Sequence, residues 1–538
     1  MTDEDPSKNE DDFANNDIVL PLNGHFPPQP GAGPNYDLFD DQKGKIKWSP
    51  GPFNIPEPLW VEEPRIFSIK SVVQAHIHLF ELDKDDIEIE FFAEGSFNKL
   101  FTIRSASKPS GTGAEYIFRV CLPAYPWYKL ESEIATMELV RMCTDIPVPR
   151  VYIFDSDAEN PVGHEWMIMD KIKGRPFCDT RESMTIEQKK KVAQTLADWM
   201  HQLSMLRFDE IGSVYRRWDE PDRGKAGFKV GPIIDQAFMA DWRIEYKIHR
   251  GPYSSYQTFF RSLVDASLFE AVDLRQRKRS EYCAALEELS ILEKTAEDCT
   301  SRWEREELEK AEEKWAGKSY EKETRISELR FKVEELSQDH DEDVDTVVWE
   351  KTSYPLLNVH GRPTDVFTRI TKLCQGLHFV LPHLCPLERL GPDSTVLHHW
   401  DISDSNILVD DNGNLVALVD WEQVHTLPFS LINPYPSAIF DHYDMSQPPA
   451  SLKGDKANDR DFISTYNTNM EYHENYLLRQ TFKERLEELH SPHLEAFTEQ
   501  EWDLKELLAL ARSASSMGNE KKVEELVEKV ENDFGRGF

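Results

Sequence analysis

LHHWDISDSNILVDDNGNLVALVDWEQV, residues 397–424, combines two apolar runs with a central Asn412-Gly413 pair. The runs at 407–409 and 415–419 predict two β-strands, and an Asn-Gly pair between such strands predicts a two-residue hairpin turn. This turn would place residue 411 opposite 414, 409 opposite 416, and 406 opposite 419. Asn406 and Asp420 would then lie side by side at the open end of the hairpin, and Asp401 would lie in the loop just before it.

The polar residues at this open end predict a phosphoryl-transfer site. His399, Asp401 and Asn406, with Asp420 after the next strand, follow the spacing of the catalytic loop in kinase-like enzymes. There the first Asp accepts the proton of a substrate hydroxyl, and the Asn and second Asp hold Mg²⁺, a cation that prefers oxygen ligands. His399 is predicted to brace the loop. The alternative is an ordinary surface hairpin with capping residues, but such apolar strands would be buried, and burying polar groups at their mouth needs a reason.

Upstream of the hairpin, the sequence predicts a small sheet that carries one helix. Alternating apolar residues favour strands, and apolar residues at helical spacing favour the helix, which Pro147 would end. The predicted order is β-β-β-α-β-β, with the elements at 87–91, 100–103, 116–122, 130–143 (the helix), 151–154 and 166–169. From about residue 180 the pattern is mostly helical, and the hairpin near 406–420 is the exception. The predicted fold is therefore α+β, with two lobes.

The composition of the chain predicts segments outside this two-lobed fold, at both ends and in one charged run. The predicted divisions are a poorly ordered extension at 1–60, an N-lobe at 61–171, a helical C-lobe with the catalytic loop at 172–445, and C-terminal helices completing it at 446–538. The extension is rich in Pro and Gly, although Trp48, Phe53 and Trp60 would seek cover. The charge-dense run 283–345 is predicted to be a solvated helical insertion, with a partner-binding coiled coil as the alternative.

Composition narrows the class of protein. The 98 acidic residues against 62 Lys and Arg give a formal net charge of -36, which disfavours nucleic-acid and anionic-membrane partners. No apolar stretch approaches the ~20 residues of a membrane span. The acidic N-terminus has neither a secretory core nor the pattern of a transit peptide. Seven scattered cysteines without a Cys-x-x-Cys pair predict reduced thiols in a cytosolic protein.

Taken together, these motifs resemble the aminoglycoside phosphotransferase and choline kinase family, most closely its fungal branch of the altered-inheritance-of-mitochondria type. Outside the hairpin the resemblance lies in GSFNKLFTI (95–103), EYIFRVCLP (115–123), SEIATMELVR (132–141), IPVPRVYIFD (146–155) and NPVGHEWMIMDKIKG (160–174). It covers roughly residues 85–215 and 395–440. The resemblance implies a protein-kinase-like fold that binds ATP and Mg²⁺ between its lobes.

The resemblance also implies individual roles. Asp401 would be the catalytic carboxylate, and Asn406 and Asp420 would bind the metal. Arg119 would hold the phosphates, oriented by Glu133. The remaining nucleotide contacts would be backbone groups of the phosphate-covering turn and of the hinge, at Gly95, Ser96, Phe97, Asn98, Asp170 and Ile172.

Three departures from related kinase-like enzymes bear on the function. Arg119 stands where most kinase-like enzymes keep Lys, Trp421 stands where protein kinases have Phe, and Ser403 stands where they carry a catalytic-loop Lys. The predicted function is ATP-dependent phosphorylation of a hydroxyl of a small metabolite. The alternative is a nucleotide-binding pseudokinase that acts as a scaffold through residues 283–345. The predicted compartment is the cytoplasm; mitochondria are implied by the resemblance alone.

Overall fold

The structure, a computed structural model, describes residues 43–50, 56–217, 227–273, 366–386, 388–440, 445–451, 460–498, 504–514 and 519–534, and the single positions 284, 285, 288, 325, 328 and 329. It divides into two compact units. One comprises Met1–Glu245, His249–Phe259 and Glu388–Lys505, and the other Tyr246–Ile248, Phe260–Leu387 and Glu506–Phe538. All predicted site residues belong to the first unit. Apart from those single positions, the predicted insertion lies outside the described residues, and the lobe boundaries stay predictions.

A five-stranded antiparallel sheet forms the centre of the N-terminal region. Its order is β3-β4-β5-β7-β6, and helix α2 is inserted between β5 and β6. The bounds are β3 (Ile87–Glu94), β4 (Asn98–Ser105), β5 (Glu115–Cys121), α2 (Tyr128–Cys143), β6 (Val151–Asp155) and β7 (Glu165–Asp170). The predicted order of strands and helix is confirmed.

The two faces of this sheet carry different cores, because successive side chains of a strand point to opposite faces. Helix α1 (Ile66–Ala75) precedes the sheet in the chain. Its buried residues form one cluster with Tyr116, Phe118 and Val120 of β5. Ile117 and Cys121 pack with α2 instead. Arg119 lies between Ile117 and Cys121 on this second face, which is how it reaches Glu133 of α2.

Helix α1 and the hairpin before it are features that the sequence did not predict. Ile69, Val72 and Val73 of α1 recur at helical spacing and are buried. Strands β1 (Ile46–Pro50) and β2 (Pro56–Trp60) pair antiparallel. The predicted poorly ordered extension is therefore wrong for these two strands, while residues 1–42 and 51–55, including Phe53, lie outside the described residues.

After β7 the described chain is mostly helical, as predicted. Short strands interrupt it at more places than the one hairpin we expected, so that expectation is wrong. The elements are β8 (Arg175–Pro176), α3 (Phe177–Thr180), α4 (Ile186–Met205), β9 (Arg207–Phe208), β10 (Ser213–Arg216), β11 (Phe228–Gly231), α5 (Gln236–Met239), α6 (256–273), α7 (Val366–Leu384), β12 (Thr395–His398), β13 (Ile407–Val409), β14 (Leu415–Leu418), β15 (His425–Leu427), α8 (Arg460–Glu488), α9 (Leu504–Arg512) and α10 (Glu520–Phe534). The predicted α+β class is confirmed.

The β13–β14 hairpin has a different turn from the predicted one. Asp410 N–H donates to Asn414 O at 2.9 Å, so three residues, 411–413, connect the strands. Asp410 Oδ1 accepts from the N–H groups of Asn412 and Asn414, and Gly413 has φ of 78°. Val409 therefore pairs with Leu415, not with residue 416, and a bulge restores the predicted register at Ile407 and Leu418. Asn406 O still accepts from Val419 N–H at 3.0 Å, as the predicted pairing requires.

Candidate active site

Asp401 and Asn406 lie at the open end of the β13–β14 hairpin. We call these two residues the hairpin mouth. The Asn406 side-chain amide donates to Asp401 Oδ2 at 2.8 Å and to Asp401 O at 3.0 Å. Both donations use the amide nitrogen, which leaves the amide oxygen as a ligand for a cation. They also fix the carboxylate of Asp401, a side chain that is exposed to solvent. A fixed, accessible carboxylate is what a general base requires.

His399 supports this loop from inside the protein. It is 2% exposed, its Nδ1 accepts from Asp401 N–H at 3.2 Å, and its ring lies edge-on to Trp421 at 5.1 Å. Burial lowers the pKa of His399 to about 4, so the ring is neutral at pH 7. The contact is that of a brace for the loop, as the sequence predicted.

Arg119 joins β5 to α2 and to the segment after β14. Its Nη1 donates to Glu133 Oε1 at 2.6 Å, and its Nη2 donates to Asp420 Oδ1 at 3.0 Å and Glu422 Oε2 at 3.2 Å. The predicted pairing of Arg119 with Glu133 is confirmed. Within the described part of the chain, the buried Arg119 Nε has no hydrogen-bond acceptor.

A second cation, Lys129, lies in the same network. Its ammonium is 2.6 Å from Glu422 Oε2, and its side chain is 1% exposed. We refer to Arg119, Lys129, Glu133, Asp420 and Glu422 as the buried ionic cluster. Three carboxylates face two cations there, so the cluster carries one formal negative charge when all five groups are ionised.

Burial and ion pairing have opposite effects on the pKa values of the groups in this cluster. Burial alone would raise the pKa of Glu422, but Lys129 and Arg119 outweigh it and hold that pKa at about 2. Burial and the neighbouring Glu422 raise the pKa of Asp420, while Arg119 lowers it. Burial disfavours the charge on Arg119, yet the carboxylates around it raise its pKa above the usual value. The guanidinium therefore remains charged, while burial raises the pKa of its partner Glu133 to about 7.

The turn between β3 and β4 contains the residues predicted to cover phosphates. Gly95 N–H donates to Asn98 O at 2.9 Å, which closes the turn. A Cβ on Gly95 would meet no atom within 4 Å, so the backbone there borders open space. The Phe97 side chain is buried in an aromatic cluster and lies 6.2 Å from Trp48. The Asn98 amide donates to Glu422 Oε2 at 2.9 Å, which connects the turn to the buried ionic cluster.

The two predicted hinge residues lie apart from that network. Asp170 and Ile172 line a cavity of about 420 Å³, together with Tyr116 and Tyr152. None of the other predicted site residues lines it. The Asp170 N–H already donates to Arg150 O at 3.0 Å, so that donor is not available to an adenine ring. The adenine role of Asp170 and Ile172 stays a prediction.

Sequence reasoning missed Lys129 and Glu422. A signal for each was present: Lys129 precedes Glu133 by four residues and so shares its helix face, and Glu422 follows Asp420 by two. Spacing alone does not reveal that these two side chains meet. That contact follows from the packing of α2 against the segment after β14.

In the described residues, no group of three or more His, Cys, Asp or Glu side chains is placed to hold a metal ion by itself. Asn406 O accepts from the N–H of Val419, the residue before Asp420, and the role of Asn406 and Asp420 as metal ligands stays a prediction. Among the helices that the structure describes, none combines the length and apolar character needed to cross a bilayer.

Comparison with known proteins gives a family match over most of the described chain. The model of the phosphotransferase enzyme family (APH) matches residues 90–429. A subtelomeric hrmA-associated cluster protein of Aspergillus fumigatus is 27% identical over 378 residues, covering 67% of this chain and 62% of the relative. The chain therefore spans about three fifths of the length of that relative.

Two further comparisons are more distant. Altered inheritance of mitochondria protein 9, mitochondrial, of Lachancea thermotolerans is 25% identical over 238 residues, which cover 38% of this chain and 36% of that protein. The solved structure of an ethanolamine kinase of Plasmodium vivax is 12% identical with a TM-score of 0.30, covering 92% of this chain and 99% of the other. At this level the structural similarity supports no statement about a substrate.

Proposed function

Because this chain belongs to the phosphotransferase enzyme family, we propose that it transfers the γ-phosphoryl group of ATP to a hydroxyl group of a small metabolite. The observation that carries the proposal is the Arg119 guanidinium, which contacts Glu133 at 2.6 Å and Asp420 at 3.0 Å. That contact brings a permanent cation and a candidate metal ligand together near the hairpin mouth. The resemblance found in the sequence assigns these same residues to phosphate and metal binding.

The residues present fit a nucleotide with its metal. Arg119 has a buried Nε–H without an acceptor in the described residues, a donor that a phosphate oxygen would satisfy. Asn406 and Asp420 provide the oxygen ligands that Mg²⁺ prefers. When bound, Mg²⁺ would neutralise negative charge on the phosphates.

Asp401 has the role of general base in this proposal. Asn406 holds Asp401 Oδ2 at 2.8 Å, which leaves Oδ1 to accept the proton of the substrate hydroxyl. His399 keeps the loop in place and does not itself carry the proton, because its ring is buried and burial lowers its pKa to about 4. Transfer of the proton makes the hydroxyl oxygen a better nucleophile towards the γ-phosphorus.

Calorimetric titration of ATP, with and without Mg²⁺, tests the binding half of the proposal. We expect wild-type affinity to depend on Mg²⁺ and Asp420→Ala to lose that dependence. Asp411→Ala is the matched control, because Asp411 lies at the tip of the same hairpin with its side chain 96% exposed. Equal affinities with and without Mg²⁺, in wild type and Asp420→Ala alike, would refute the metal assignment.

A screen of hydroxyl metabolites with labelled ATP tests the transfer half. We expect wild type to phosphorylate at least one metabolite and Asp401→Asn to do so far more slowly. Mg²⁺-dependent ATP binding without transfer to any metabolite would favour the alternative, a nucleotide-binding scaffold.

A further inference from the structure

Lys129 is a buried cation that the proposed mechanism leaves without a role. It lies in the first turn of α2, and its side chain is 1% exposed. Its ammonium contacts Glu422 Oε2 at 2.6 Å and Asn98 Oδ1 at 3.3 Å, and it lies 5.5 Å from the centre of the Phe97 ring. Burying a charge is costly unless it is paired and hydrogen-bonded, so these contacts must compensate that cost.

The contacts of Lys129 converge on one carboxylate oxygen. Glu422 Oε2 accepts from Asn98 at 2.9 Å and from Arg119 at 3.2 Å, in addition to Lys129. These three donors lie on β4, β5 and α2, while Glu422 follows β14. A single oxygen therefore connects the phosphate-covering turn, the phosphate-binding strand and the helix to the segment that carries Asp420.

From this convergence we propose that Lys129 is a positioning residue, which holds the 95–98 turn and Asp420 in register by acting through Asn98 and Glu422. The proposal rests on the proposed function for its consequence in catalysis. The ammonium already contacts Glu422 and Asn98, and we assign it no direct contact with a ligand. Its effect on a nucleotide would come from where it keeps the turn and the Asp420 segment.

The competing explanation is that Lys129 forms an ordinary buried ion pair that contributes to stability alone. The chain offers a matched control for that explanation. Lys189 of α4 lies 2.6 Å from Glu474 of α8, and its side chain is 6% exposed. Lys189→Met removes an ion pair of the same length that includes no site residue, with a carboxylate that is 26% exposed where Glu422 is 12% exposed.

Hydrogen exchange of the ligand-free protein provides the first test, since it needs no activity. The Gly95 N–H bonds to Asn98 O, and the Leu122 N–H bonds to Phe97 O at 2.8 Å, so these two amides report on the turn. In Lys129→Met we expect both to exchange roughly tenfold faster, as loss of a bond to a charged group allows. We expect Lys189→Met to leave them unchanged. Equal exchange in the two variants would overturn the proposal.

Steady-state kinetics provide the second test. Lys129→Met should raise the KM for ATP about 10–100-fold, the range for loss of a group that orients a ligand, with a smaller effect on kcat. Lys129→Arg keeps the charge and the donors, and it should recover part of the loss. Asn98→Ala combined with Lys129→Met should raise KM no more than the larger single change, because both act through one contact. Additive effects would show that Lys129 acts independently of Asn98, against the proposal.

The two tests separate this inference from the proposed function. If wild type binds no MgATP but the two amides still exchange faster in Lys129→Met, the positioning role stands and the phosphotransferase proposal fails. If MgATP binds and the amides do not respond, the reverse holds. Should Lys129→Met not fold, Lys129→Gln keeps a donor to Glu422 without the charge, and the same two amides decide the outcome.

Discussion

The hairpin mouth and the buried ionic cluster lie in the same unit, but they differ in solvent exposure and in the partners that their charged groups need. Asp401 is exposed and needs only its orientation fixed, which one amide, Asn406, provides. Lys129 and Arg119 have side chains 1% and 5% exposed, and they need carboxylate partners to offset the cost of burying their charges. A substitution at the mouth should therefore remove chemistry and spare stability, whereas a substitution in the cluster should reduce stability as well.

The largest effect should come from Glu422→Ala, which removes the carboxylate partner of the most buried cation. Loss of one partner of a buried ion pair costs about 3–5 kcal/mol, because the other charge stays behind. Urea unfolding measures it. Glu474→Ala should cost less, since Glu474 is 26% exposed and water replaces it more easily. If the two variants lose equal stability, the partner of Lys129 contributes no more to stability than the partner in an ordinary ion pair.

Asp401→Asn should have the next largest effect, on turnover alone. The amide keeps the shape of the carboxylate but cannot accept a proton, so turnover should fall by about 10²-fold or more. ATP affinity and the urea midpoint should barely change, because Asp401 is exposed. Asp411→Asn serves as the control. Wild-type turnover in Asp401→Asn, on an identified substrate, would remove Asp401 from the mechanism.

Arg119 is part of the buried ionic cluster, and we also propose that it binds the phosphates of ATP. Its substitution therefore tests whether the cluster contributes to ligand binding as well as to stability. Arg119→Ala should weaken ATP binding by roughly 1.5–3 kcal/mol, the range for hydrogen bonds to charged groups. Arg119→Lys should recover only part of this, because one ammonium does not reproduce the planar fork of a guanidinium. ATP titration of the three proteins measures it. Equal affinities would mean that Arg119 serves the cluster only and would favour the scaffold alternative.

The smallest effect should come from the closed end of the hairpin, at Gly413. Its φ of 78° is a conformation that costs an L-residue about 1–2 kcal/mol, and a Cβ there would lie 2.9 Å from Met184 Cε. Gly413→Ala should lower stability by that amount and leave ATP affinity unchanged. Gly391→Ala is the control, because a Cβ at Gly391 meets nothing within 4 Å. A change in nucleotide affinity in Gly413→Ala would show that the tip communicates with the mouth.

The sheet was predictable from the sequence because its signals are local. The strands show period-two patterns and α2 shows helical spacing, and neither depends on distant contacts. The turn of the β13–β14 hairpin was mispredicted because Asn412-Gly413 favours a two-residue turn, whereas side-chain bonds from Asp410 stabilise a three-residue one. The choice between the two turns depends on these hydrogen bonds from Asp410, which the Asn-Gly pair alone does not reveal.

The site was predictable in part for a related reason. The spacing of Asp401, Asn406 and Asp420 is a property of one continuous segment, so it can be read from the chain. The face of β5 that meets α2 depends on which helix covers which side, and α1 was not predicted. The pairing of Arg119 with Glu133 was implied by the resemblance of their two motifs and not by the packing of the sheet. Lys129 and Glu422 meet although they lie more than half the length of the chain apart, and no local pattern reports such a contact.

The β1–β2 hairpin has a practical consequence for anyone who shortens this protein. Trp48 lies against Phe97 of the 95–98 turn, and Trp60 lies 4.9 Å from the ammonium of Lys99 just beyond that turn. Lys45 donates to Ala158 O and Gly163 O, which ties the start of the hairpin to the loop before β7. A recombinant fragment begun at residue 61, where the sequence placed the N-lobe, would lose Trp48, Trp60 and Lys45 and uncover the Phe97 ring. Fragments meant for crystallisation or assay should start before residue 43.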